Sequence, residues 1–124
     1  MFNFLIVRLN IMTEDLSKKK CVPCEGGIPP FTIEQINEYL KKVDGWVLKQ
    51  NEDTQYYLFK EFAFKDFLES QKFVNIVGDI SETEGHHPDL TFGWGYATVK
   101  IYTHAIKGLA ESDFILASKI DKKA

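Results

Sequence analysis

The chain has 124 residues, 44% of them hydrophobic and 14% aromatic, which suits one domain with its own core and is too apolar for a disordered chain. A formal net charge of −3 argues against a general nucleic-acid or anionic-membrane binder, which would carry a basic face. No apolar run approaches the ~20 residues that a membrane-spanning helix needs.

In chain order, residues 1–27 are expected to form an irregular tail and residues 28–124 the domain proper. Met1 to Val7 is apolar but brief, with no basic leader and no small-residue cleavage site, so it makes a poor signal peptide. Met12-Thr13 reads as a translation start, which would make residues 1–11 an upstream extension. Cys21 and Cys24 form a lone C-x2-C between the charge run Lys18-Lys19-Lys20 and Gly26-Gly27. A structural zinc site would need a second such pair or a matching His pair, and neither exists. The cysteines are therefore expected to do no chemistry, and a reducing, cytoplasmic location is the default.

Thr32 with Gln35 three residues on is a capping box, and Ile33, Ile36, Leu40 and Val43 follow at helical spacing until Gly45. Trp46-Val47-Leu48 and Gln55 to Phe64 read as an antiparallel hairpin around an Asn51-Glu52-Asp53 turn. A longer helix is predicted from about Lys65 to Glu84, with Phe73, Val74, Ile76, Val77 and Ile80 as its apolar stripe and Gly85 just past its end. Leu90, Phe92 and Trp94 predict a third strand, Gly95-Tyr96 a two-residue turn and Ala97 to His104 a fourth strand. Ser112 to Lys122 closes the chain as a helix. The expected fold class is α+β in the order α-β-β-α-β-β-α, a four-stranded antiparallel sheet with helices packed on one face.

All three histidines fall in one stretch, Glu82-x3-His86-His87-Pro88-x5-Trp94-x9-His104-x8-Asp113. Imidazole titrates near neutral pH, and three of them bracketed by carboxylates suggest proton transfer. In the fourth strand Ala97, Val99, Ile101 and Thr103 share the face a helix-covered core wants, which sends His104 to the opposite face. Asp79, Glu82 and Glu84 crowd a helix C-terminus where the macrodipole disfavours them, so they form either a solvated helix end or a set of acceptors for substrate N–H groups. A zinc site made of three imidazoles and Glu82 is the weaker reading, because His86 and His87 in an extended segment point to opposite sides.

With these gaps, and with Gly45-Trp46, Phe59-Lys60-Glu61-Phe62-Ala63-Phe64-Lys65-Asp66-Phe67 and Gly108-Leu109, the chain resembles the pterin-4a-carbinolamine dehydratases over about residues 28–122. The resemblance implies dehydration of 4a-hydroxytetrahydropterin to quinonoid dihydropterin without cofactor or metal. That product recycles the pterin used by an aromatic amino acid hydroxylase. It implies a homodimer or homotetramer that binds a small pterin and neither nucleic acid nor membrane. Carried over, His86 and His104 would be acid and base, and His87 would bind and orient substrate. Glu82 would contact the pterin or support a histidine, Asp113 would support His104, and Trp94 would fill an aromatic slot. Asp89 and Thr103, beside the motif histidines, join the supporting set. Two departures stand out. Leu90 follows His86-His87-Pro88-Asp89 where relatives often have an aromatic residue. Ala110 stands where a Ser or Thr often caps the last helix. The alternative from another class is a non-catalytic, protein-binding or transcription-cofactor module on the same scaffold; an exposed apolar stripe on the second helix, beyond its core stripe, would mark it.

Overall fold

Thr32 caps the first helix as its spacing to Gln35 predicts. Its Oγ1 accepts from the Gln35 N–H at 3.3 Å, while Gln35 Oε1 accepts from the Thr32 N–H at 2.9 Å. In the computed structural model, which describes residues 15–22 and 28–123, that helix is α1 (Ile33–Leu40). It is followed by β1 (Val47–Gln50), β2 (Tyr56–Ala63), α2 (Phe67–Glu84), β3 (Asp89–Gly93), β4 (Tyr96–Ile101) and α3 (Glu111–Lys123). The upstream extension, the Met12 start and Cys24 lie outside the described residues. The order of elements is the predicted one, and the four strands form a single antiparallel sheet in the order β1-β2-β4-β3.

Register explains which face is covered. Leu58 stands opposite Ile101, Phe62 opposite Ala97, and Leu90 opposite Val99. Directly opposed residues share a face. Leu58, Ala97, Val99 and Ile101 are accordingly a fully buried floor, onto which Phe73 and Val77 of α2 and Phe114 and Leu116 of α3 pack. The other face carries Tyr96, Thr98 and Lys100, all more exposed than their neighbours in β4.

Three expectations need correction. The β3–β4 turn is Trp94-Gly95, because Gly93 pairs with Tyr96 and Gly95 takes φ +82°. The glycine is thus the second turn residue and not the first, since that is where this turn requires a positive φ. The fourth strand ends at Ile101. Thr103 is bridged to Gly108, with Thr103 N–H to Gly108 O at 2.9 Å, and His104–Ile106 forms a single 3-10 turn at the tip of that loop. Finally, residues 15–22 are not a loose tail. The last helix buries every residue from Ser112 to Ala117, together with Ile120, so the sheet alone cannot cover it. Leu16, 1% exposed in the 3-10 turn Leu16–Lys18, packs on α3 and belongs to the core. Leu16→Ala is expected to cost about 2–4 kcal/mol in urea unfolding, the range for truncating a buried leucine. A cost below about 0.5 kcal/mol would mean this segment does not dock in solution.

Candidate active site

The motif histidine nearest the core is held at both its main chain and its ring. Gly85, at φ +65°, ends α2; its N–H donates to Glu82 O at 3.3 Å, and the His86 N–H donates to Ser81 O at 3.2 Å. That pair of bonds is a Schellman motif, and a glycine with positive φ is what makes it inexpensive. It delivers His86 to a fixed place just beyond the helix. The His86 ring, 15% exposed, then lies with Nε2 2.7 Å from Asp113 Oδ1.

Asp113 is wholly buried and saturated. Its Oδ2 accepts from Thr103 Oγ1 at 2.8 Å and from the Ala110 N–H at 2.8 Å, while Oδ1 faces His86. Ala110 immediately precedes α3, so the carboxylate completes one half of a capping box through the backbone alone, and no Ser or Thr side chain is needed there. With Oδ2 taken up by Thr103 and Ala110, Oδ1 is placed to accept from His86 Nε2, and in the tautomer that donates there Nδ1 keeps the lone pair. The Asp113 carboxylate is thus bonded to His86, and not to His104, beside which the resemblance had placed it.

His104 is exposed, in the 3-10 turn, with its ring centroid 4.2 Å from that of Tyr102 and tilted 45° to it. Among the described residues no carboxylate is hydrogen-bonded to it. His87, ahead of Pro88, sits at the rim with Nε2 2.7 Å from Glu82 Oε1, an exposed pair worth little energetically. Asp89 opens β3 beside it and is also exposed. Trp94 is not part of this group. It is 72% exposed in the β3–β4 turn, and roughly 13 Å of β3 lies between that turn and Asp89 at the usual rise per residue.

His86, His87, His104, Asp89 and Thr103 line one cleft of about 380 Å³, a size suited to a small bicyclic molecule. Sequence reasoning missed part of its wall: Cys21 and Val22 from the N-terminal segment, Tyr102 and Ser112; of the acids that crowd the end of α2, Glu84 lines it. Tyr102 was readable from its alternation with His104; Cys21 and Val22 carried no signal. The acidic end of α2 is also accounted for. Glu84 accepts from the Cys21 N–H at 3.0 Å and pairs with Lys119 at 3.3 Å. Burial alone would raise its carboxyl, but these two partners outweigh that and hold it below the usual carboxylate range. Burial, helped by the nearby Glu84 charge, pushes the Cys21 thiol up to about 12. Among the described residues no group of three or more His, Cys, Asp or Glu is placed to hold a metal ion. His86 and His87 instead face carboxylates of separate elements. Nor is any described helix long and apolar enough to cross a membrane.

A fold of this kind is known. A crystal structure described as a transcriptional coactivator/pterin dehydratase from Brucella melitensis superposes with a TM-score of 0.67 at 27% identity, over 75% of this chain and 96% of that one. A pterin dehydratase-like protein identified as a RuBisCO assembly factor in the alpha-carboxysome shares the fold, at 24% identity and a TM-score of 0.53 over 63% of this chain and 87% of that one. Among curated sequences, a protein of Methylococcus capsulatus is 47% identical, covering 88% of this chain and 93% of its own length. One of Rubrobacter xylanophilus is 42% identical, covering 87% and 97%. Both are named "Putative pterin-4-alpha-carbinolamine dehydratase". The family model described as pterin 4 alpha carbinolamine dehydratase matches residues 29–123, and so the chain that carries this cleft belongs to the pterin-4a-carbinolamine dehydratase family.

Proposed function

We propose that the cleft dehydrates 4a-hydroxytetrahydropterin to quinonoid dihydropterin by histidine acid/base catalysis. The observation that carries this reading is the pairing of two unlike histidines in one cleft, His86 backed by a buried carboxylate and His104 open to solvent. The C4a–O bond breaks, and His104 gives its proton to the departing hydroxyl, which leaves as water. The proton on the adjacent ring nitrogen passes to His86 Nδ1, and a C=N bond forms between C4a and that nitrogen. The nitrogen lone pair expels the hydroxyl, so the step changes no oxidation state and calls for no cofactor. Asp113 stabilises the imidazolium that forms on His86, as an orienting carboxylate does behind other catalytic histidines. To close the cycle His86 releases to solvent the proton it took, and His104, in contact with solvent, takes one up.

His87, Glu82 and Asp89 at the rim suit the amino-pyrimidine edge of the pterin, whose N–H groups need acceptors. In this reading the product returns to the reductive cycle of an aromatic amino acid hydroxylase, in the cytoplasm. Phe67 and Leu68 of α2 are 46% and 55% exposed, and Ile76, expected in the core stripe, is 41% exposed and outside it. Such a patch supports self-association into a homodimer or homotetramer, and it leaves room for a second, protein-binding role of the same helix.

The test is the rate of 4a-hydroxytetrahydropterin dehydration followed by absorbance, purified protein against buffer. Acceleration well above the spontaneous rate is expected. A folded sample no faster than buffer would overturn the enzymatic reading.

A further inference from the structure

The wall formed by residues 21–22 has no place in the chemistry above, yet it is built with care. Ser112 Oγ accepts from the Val22 N–H at 3.2 Å and donates to Val22 O at 3.0 Å, so one hydroxyl clasps both polar groups of that residue. The preceding residue is tied twice more, through its N–H to Glu84 Oε1 at 3.0 Å and its thiol to Ser112 O at 3.4 Å. Further back, Lys19 meets Glu111 at 3.3 Å and Leu16 anchors the segment in the core. Together these hold a strap against α3 and the end of α2. None of them uses the Val22 side chain, which stays 70% exposed while lining the cleft. The strap also lies outside residues 29–123, the span the family model matches.

The polarity of the cleft indicates what such a wall meets. In the proposed reading the amino-pyrimidine edge meets His87 and Asp89 of the cleft, with Glu82 behind His87. The strap offers the reverse surface: an isopropyl group, and a thiol that burial keeps protonated at neutral pH. Glu84, the carboxylate beside it, is already engaged by the Cys21 N–H and Lys119. A tetrahydropterin bound with its polar edge at the rim turns its saturated C6–C7 edge elsewhere, and this apolar wall is the matching surface.

We propose that the Cys21–Val22 strap is a specificity-determining wall that meets the substituent on C6 of the bound pterin, with Val22 as the contact. The inference rests on the pterin reading of the cleft. Substrates with a methyl and with a dihydroxypropyl group at C6 are compared on the wild type, Val22→Trp and Ser112→Ala. Val22→Trp adds bulk at an exposed position. It is expected to raise KM about tenfold for the dihydroxypropyl substrate and less than about threefold for the methyl one, with kcat of each within about twofold, the scale on which a mis-sized apolar wall discriminates. Ser112→Ala releases the clasp and is expected to change the ratio of kcat/KM between the two substrates by about threefold or more, with thermal unfolding recorded to show that the fold persists. Equal KM changes for both substrates, or none in either variant, would overturn the strap while leaving the enzyme intact. A wild type that accelerates neither substrate overturns both readings together.

Discussion

Asp113→Asn is expected to lower kcat by about 10²–10⁴ while leaving KM within about threefold and stability within about 1 kcal/mol. The reasoning follows the hydrogen bonds. The amide oxygen of an asparagine can take over the two bonds that Asp113 Oδ2 now accepts, from Thr103 Oγ1 and the Ala110 N–H. The amide nitrogen then faces His86 Nε2, where a donor meets a donor unless the imidazole changes tautomer. With Nε2 turned acceptor, Nδ1 carries the hydrogen and can no longer take a proton from substrate. The count of buried hydrogen bonds is preserved, so the fold tolerates the change and only the chemistry suffers. Asp113→Ala behaves differently. It strands the Thr103 hydroxyl, the Ala110 N–H and the His86 N–H, each a group whose burial without a partner costs about 1–3 kcal/mol. Steady-state kinetics with calorimetry on both variants separates the roles. If the Asp113→Asn variant retained kcat within about threefold, Asp113 would be a helix cap and nothing more.

How much of this was legible follows from the range of the forces involved. The capping box at Thr32, the αL glycine after α2 and the period-2 alternation of β4 are local, so composition and spacing reveal them. The cluster of histidines was equally visible, because nothing structural requires all three to share one stretch. The carboxylate partner was not. The resemblance alone assigned Asp113 to His104, nine residues away, and no local pattern in the sequence argued for or against it. His86, just past the end of α2 and 27 residues from Asp113, is the partner instead, and only the packing of α2 against α3 decides this. Trp94 was misplaced for a smaller reason: Trp94-Gly95 and Gly95-Tyr96 both look like turns, and the position of the positive φ selects the first. The strap was invisible because its own sequence is a charge run with few apolar residues. What makes it dock is the surplus apolar surface of α3, a property of a different segment.

His86→Ala and His104→Ala are each expected to slow turnover by about 10²–10⁴, the usual contribution of one general acid or base, yet to differ sharply in what they do to the fold. His104 is exposed and touches the ring of Tyr102, so its removal is expected to stay within about 0.5 kcal/mol of wild-type stability. Removing His86 takes away the donor that faces Asp113 Oδ1 in a fully buried position. That leaves part of a buried carboxylate unpaired, which costs about 1–3 kcal/mol. Urea unfolding and single-turnover dehydration on the same samples check both halves. In the proposed mechanism the two histidines serve one bond-breaking step, so the double variant is expected to fall no more than about tenfold below the slower single variant, as groups acting as a unit do. Losses that multiply fully would mean that the histidines act in separate steps. A His104 variant with wild-type turnover, beside an inactive His86 variant, would mean that water protonates the departing hydroxyl and that His104 does no more than shape the mouth of the cleft.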